Sequence, residues 1–168
     1  SLNYGGGILS HSYLALTDCI VTNNVAGAYG GGIYLQGNGQ ITNCTISNNQ
    51  SVKRGGGIYF MGATGGSGAL TMTNVTISGN SSQDYLGGGI HAGSVVTSTT
   101  LNLTNCTVAN NMATYETAGN PGAGGLSVSG DPTTVTLTNT IFADNTLPNI
   151  RTVFSVGVIS AGGNLMDD

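Results

Sequence analysis

The chain has 168 residues but only three Lys or Arg and seven Asp or Glu, a formal charge of −4, where a domain of this length ordinarily carries about forty charged side chains. Gly (29), Thr (22) and Asn (18) fill 69 positions; these poor helix formers exclude a helical bundle, while 39% hydrophobic residues and the low net charge exclude a simply disordered chain. Three cations cannot neutralise a phosphate backbone or an anionic bilayer, and no apolar run nears the roughly 20 residues that span a membrane, so neither nucleic acid binding nor membrane insertion is expected.

In chain order, two phrases alternate. Gly-Gly-Gly-Ile opens at Gly5–Ile8 and returns at Gly30–Ile33, Gly55–Ile58 and Gly87–Ile90, with looser copies at 123–126 (AGGL) and 161–165 (AGGNL). Between them stands an eleven-residue phrase, LALTDCIVTNN at 14–24, GQITNCTISNN at 39–49, LTMTNVTISGN at 70–80, LNLTNCTVANN at 101–111 and VTLTNTIFADN at 135–145. Its first and third positions are apolar, then its sixth and eighth. Alternation marks a half-buried strand, and the flip of parity across Thr-Asn marks a bend followed by a second strand. The glycine phrase supplies a third, with Ile33 and Leu35 pointing in and Tyr34 out. A helix-free unit of 25 residues holding three short strands is one coil of a solenoid. The chain therefore reads as a single all-β domain over residues 1–168, a parallel β-helix of five to six coils, each about 4.8 Å above the last. Length variation falls in two of the three turns, so 62–69, 93–100, 112–122 and 146–160 are expected to project as loops.

Stacked coils set equivalent residues in rows. Asn24, Asn49, Asn80, Asn111 and Asn145 are expected to form a structural ladder whose amides bond from coil to coil. Cys19, Cys44 and Cys106 share the inward sixth slot, where parallel Cβ vectors favour buried free thiols over a Cys19–Cys44 bridge.

The paired GGGI and xxxN phrases resemble the repeats of polymorphic outer-membrane proteins and related bacterial right-handed β-helix surface proteins, over nearly the whole chain. The superfold is the one pectate lyases also use. The resemblance implies a right-handed, single-stranded helix acting as a non-catalytic adhesin-type or display module, secreted or at the cell surface, with a polysaccharide or a surface receptor as partner. Residue 1 is Ser, and the expectation is a piece of a longer secreted protein. A carbohydrate-binding or polysaccharide-cleaving β-helix is the alternative.

Cleavage would need clustered acids with a nearby base or calcium. Asp18, Asp84, Glu116, Asp131, Asp144, Asp167 and Asp168 are scattered, and the outward positions of the glycine-phrase strands hold Tyr34, Tyr59, His91 and Ser127 instead. No catalytic residue, metal site or cofactor is expected. The candidate binding stripe is Tyr34, Tyr59 and His91, with Tyr29 and Arg54 just before the glycines: aromatic faces in a row could stack on sugar rings, against the plainer reading of cross-strand packing. Two lesser expectations are a Thr/Ser lattice on the strand after the bend that would bind ice, and open helix ends that would stack copies end to end into fibres.

Overall fold

A computed structural model of the chain describes residues 3–83, 86–93, 98–114, 122–130, 133–146, 148–153 and 156–167. Every regular element among them is a short strand, and the strands fall into parallel ladders that run the length of the molecule. Sheet A stacks Ile8–Ser10, Ile33–Gln36, Ile58–Met61, Ile90–Ala92, Leu126–Ser129 and Ile150–Val153. Sheet B stacks Leu14–Thr17, Gly39–Thr42, Gly68–Thr73, Thr99–Thr104, Thr133–Thr138 and Gly157–Ser160. Sheet C stacks Ile20–Thr22, Thr45–Ser47, Thr76–Ser78, Thr107–Ala109, Ile141–Ala143 and Leu165–Met166. Six coils of a parallel β-helix result, three main strands to each.

A fourth ladder, sheet D, goes beyond the expected three. It consists of two-residue strands, Val25–Ala26, Gln50–Ser51, Ser81–Ser82 and Met112–Ala113, placed directly after the terminal Asn of the first four phrases. Its inward side chains are small: Ala26, Ser51, Ser82 and Ala113 are all buried. A long side chain there would collide with the core across a narrow solenoid.

The register is that of the sequence alignment, Leu70 on Leu101 on Val135 and Ile46 on Ile77 on Val108. Inward rows of aliphatics, Phe60 and Phe142 make one continuous core. Two corrections follow from the pairing. The stretches expected as loops lend residues to strands: Gly68 and Ala69 and then Thr99 and Thr100 lengthen sheet B to six residues, Met112 and Ala113 belong to sheet D, and 146–160 contains the sixth coil's first two strands. Residues 94–97, 115–121, 147 and 154–155 of those stretches lie outside the described residues. The glycines at 161–165 are not a copy of the glycine phrase, since Leu165 pairs with Ile141 in sheet C and Gly162 and Gly163 make the sixth bend. Pairing geometry outranks the resemblance of four letters.

The Asn excess has three separate causes. At the bend between sheets B and C, Asp18, Asn43, Asn74, Asn105 and Asn139 have φ of 47–56°. One residue before the terminal Asn, Asn23, Asn48, Asn110 and Asp144 are also left-handed, at 52–58°, and Gly79 takes that slot at 65°. Asn, Asp and Gly are the residues that enter this region most cheaply. The terminal Asn row serves hydrogen bonding instead. In the glycine phrase the first residue turns left-handed, Gly30 at φ 66°. The second and third lie against the coil above: a Cβ on Gly31 would sit 2.3 Å from Gly56 O, and one on Gly32 would sit 2.9 Å from the amide of Asn49. Glycine phrase and asparagine row are thus two halves of one contact.

Candidate functional site

The asparagine ladder is continuous and directional. The backbone N–H and Nδ2 of Asn24 both donate to Asn49 Oδ1 at 3.0 Å, and the same pair of bonds runs from Asn49 to Asn80, Asn80 to Asn111 and Asn111 to Asn145 at 2.9–3.0 Å. From Asn49 onward each Nδ2 also donates to a carbonyl one coil back: Asn49 to Val21, Asn80 to Ile46, Asn111 to Ile77 and Asn145 to Val108. Each buried amide therefore has its hydrogens and its oxygen engaged, leaving nothing for a ligand. Asn145 Nδ2 donates to Asn149 Oδ1 at 2.6 Å, and Asn149 in turn donates to the backbone oxygen of Asp167. Asn149 closes the ladder from outside the repeat phrase, so no spacing argument could find it.

Sheet A is built differently on its outer side. Register places Leu9, Tyr34, Tyr59, His91, Ser127 and Arg151 in one outward row. Beside it, Tyr29, Arg54, Leu86 and Ala123 form a second row of bridges just before the glycines. The aromatic rings of the two rows pack on one another: Tyr4 on Tyr29 at 5.5 Å and 18°, Tyr29 on Tyr59 at 4.8 Å, Tyr34 on Tyr59 at 5.3 Å and 9°, and Tyr59 on His91 at 5.2 Å. Tyr34 is 8% exposed and His91 only 1%. The expected open stripe is corrected on this point. Ring faces that were to receive sugar are spent on neighbouring rings, and His91 sits beneath the surface.

Burial changes the chemistry of this row. It pushes Tyr59 up to about 12, against the opposing pull of Arg54, and holds His91 down to about 3, with the Arg54 charge adding to the same effect. His91 is neutral, its Nε2 lying 3.3 Å from Ser129 Oγ. Its Nδ1, Ser127 Oγ and Arg54 Nε are buried with no hydrogen-bond partner among the described residues. Arg54 itself and Tyr29 are half-buried, so of the five candidate binding residues these two, together with half-buried Tyr59, remain in reach of solvent. Two further residues join them. Tyr4 is 39% exposed, and Lys53 Nζ lies 5.5 Å over the Tyr29 ring.

A family model described as a right-handed β-helix region matches residues 2–165. The chain belongs to the right-handed β-helix family. Among curated proteins and among solved structures, nothing matches it.

The turns of this right-handed β-helix are not equivalent. Two residues join sheet B to sheet C in each of the first five coils, and two join sheet C to sheet D wherever sheet D is present. The connections on either side of sheet A vary instead, from two to six residues on leaving it and from six to twelve on entering it. Sheet A is the face framed by variable turns, and Tyr4, Tyr29, Lys53 and Arg54 lie on it. On the opposite faces the β-helix repeats itself. Thr17, Thr42, Thr73, Thr104 and Thr138 make one in-register row on sheet B, and Thr45, Thr76 and Thr107 another on sheet C. The rows used for the ice-binding expectation are broken by Ile20 and Ile141 at their ends.

Of the acids, Asp18 accepts from Asn43 Nδ2 at 3.1 Å and ends the bend ladder, and Asp167 bonds the Asp144 backbone N–H. Both are turn partners. Asp84, Glu116, Asp131 and Asp168 lie outside the described residues. No group of three His, Cys, Asp or Glu side chains that could hold a metal occurs among the described residues. Cys44 and Cys106 are buried free thiols and Cys19 a half-buried one, in the inward slot assigned to them. The first-coil strands of sheets A, B, C and D each pair on one side only, and a cavity of about 290 Å³ lined by Ile8, Ile20, Val21 and Asn24 opens at that end.

Proposed function

We propose that the chain is a non-catalytic extracellular β-helix module, an adhesin-type display scaffold whose contact face is the outer side of sheet A. The observation that carries this reading is the asymmetry of the turns. In the first five coils sheets B, C and D are joined by two-residue connections that carry left-handed Asn, Asp or Gly, while the connections that vary in length there border sheet A. A scaffold that holds three sides constant and varies the rims of the fourth suits display on the fourth. The partner is a polysaccharide or a glycosylated surface receptor, met by the tyrosine and cation cluster at Tyr4, Tyr29, Lys53 and Arg54.

The test is a glycan array probed with the full chain, run beside a calcium-dependent lyase assay on the glycans bound. Binding without new reducing ends or unsaturated product is the expected result. Release of product would replace the display reading with the polysaccharide-cleaving one, and a blank array would remove the glycan partner.

A further inference from the structure

We infer that the sheet A face selects acidic glycans, with Lys53 and Arg54 reading carboxylate or sulfate groups along the chain of sugars. The inference rests on the glycan-display reading above and adds the charge class of the ligand.

The protein is acidic and owns three cations, Lys53, Arg54 and Arg151. Two of them are consecutive and occupy the outer face that carries the stacked tyrosines Tyr4, Tyr29 and Tyr59. Arg151 has an interaction partner, whereas Lys53 and Arg54 make no ion pair with any described residue. In a chain with more than twice as many acids as bases, two neighbouring cations on this face, with no counter-charge among the described residues, favour an anionic ligand. Arg54 is half-buried, and its Nε is buried with no acceptor among the described residues. The terminal nitrogens of a half-buried guanidinium can meet an incoming oxyanion at two points, through their planar fork.

The tyrosines set the rest of the ligand's chemistry. Tyr29 has Tyr4 on one side, Tyr59 on another and Lys53 above it. Its faces are taken, so what remains for a ligand is ring edge and phenol hydroxyl. That favours a partner rich in hydroxyl groups over a flat apolar one. Tyr4, Tyr29 and Arg54 come from successive coils and so step along the helix axis, which suits an extended polymer carrying repeated hydroxyls and spaced anions.

The experiment is retention and equilibrium binding of the full chain on four polymers, a polyuronate, a sulfated dextran, uncharged dextran and polyglutamate, each at low and high salt. The expected result is that the polyuronate or the sulfated dextran binds on the order of tenfold tighter than uncharged dextran and loses that margin in high salt. Arg54→Gln and Lys53→Gln should each cut the margin by about tenfold. The uronate and sulfate arms distinguish the two sources of anion. Equal affinity for acidic and uncharged dextran overturns this inference and leaves glycan display standing; no binding to any sugar polymer overturns both. Polyglutamate bound as well as the acidic sugars would mean a site for polyanions in general, and this too overturns the inference. If Arg54→Gln lowers the thermal midpoint, Lys53→Gln, at a side chain that packs over the Tyr29 ring and not in the core, decides the matter.

Discussion

Asn80 is held between Asn49 and Asn111, accepting two hydrogen bonds from the first at 2.9 and 3.0 Å and giving two to the second at 3.0 Å, while its other amide hydrogen reaches Ile46 O one coil back. The residue is fully buried. Truncating it strands a buried N–H on Asn49 and a buried carbonyl on Ile46 as well as breaking the row. Each orphan costs about 1–3 kcal/mol, so Asn80→Ala should destabilise by roughly 3–5 kcal/mol in urea unfolding. Asn24 at the open end has a partner on one side only, and Asn24→Ala should cost less than half as much. Equal losses at the two positions would mean that the ladder is not cooperative in the way the geometry requires.

Asn110 presents the opposite case. Its φ is 56°, and its place in the coil is shared by Asn23, Asn48, Gly79 and Asp144. What the site asks for is the left-handed backbone. Asn110→Gly should therefore leave stability within a few tenths of a kcal/mol, while Asn110→Ala should lose about 1 kcal/mol or more. Gly79→Ala should be worse than Asn110→Ala, because its Cβ would also stand 2.6 Å from Asn48 Oδ1. Chemical denaturation of the three variants orders them, and a glycine at 110 as harmful as an alanine would point to a side-chain role instead.

These two kinds of asparagine show where the sequence is legible. Period, register and the inward rows could be read because a β-helix writes one coil per repeat, and stacking turns each repeated letter into a row. The bend and the ladder followed from the same logic. The outer layer of sheet A did not. Whether Tyr34 and His91 are exposed depends on side chains from the row beside them, which lean across rather than continue the strand, and alternation along a strand carries no information about that. Asn149 was hidden for a related reason: it completes the ladder from a turn and not from the phrase. Repetition alone sets the glycines at 161–165 with the glycine phrase, whereas Gly162 and Gly163 serve a bend, where left-handed backbone rather than close coil contact selects glycine.

His91 links the buried layer to pH. In the unfolded chain its imidazole titrates near 6.5, while in the fold burial, and then Arg54, hold it at about 3. Between those values the unfolded state takes up a proton that the folded state refuses. The stability this contributes is whole above about pH 6.5 and is lost as pH falls toward 3, at up to about 1.4 kcal/mol per pH unit. Urea midpoints of the native chain and His91→Gln, compared from pH 7 to pH 4, should converge as the medium is acidified. Parallel pH profiles would show that His91 titrates normally and that the layer above it is open to water.

The cysteine row gives a gradient of reactivity from one slot. Cys44 and Cys106 are 3% and 1% exposed and burial pushes both thiols up, while Cys19 lies half-buried in the first coil, its Sγ donating to Thr17 O at 3.1 Å. The thiolate is the reactive form, so both access and ionisation disfavour the inner two. With a maleimide at neutral pH, Cys19 should be labelled first, and Cys44 and Cys106 only at the rate of global unfolding. In denaturant without reductant all three should react. One reactive thiol in place of three would reveal a Cys19–Cys44 bridge, which the stacked slot brings close, since the Cys19 backbone N–H lies 3.4 Å from Cys44 Sγ. In the free-thiol form, oxidant treatment should leave the urea midpoint unchanged, because a bridge across these coils would have to rotate two packed side chains out of a filled row.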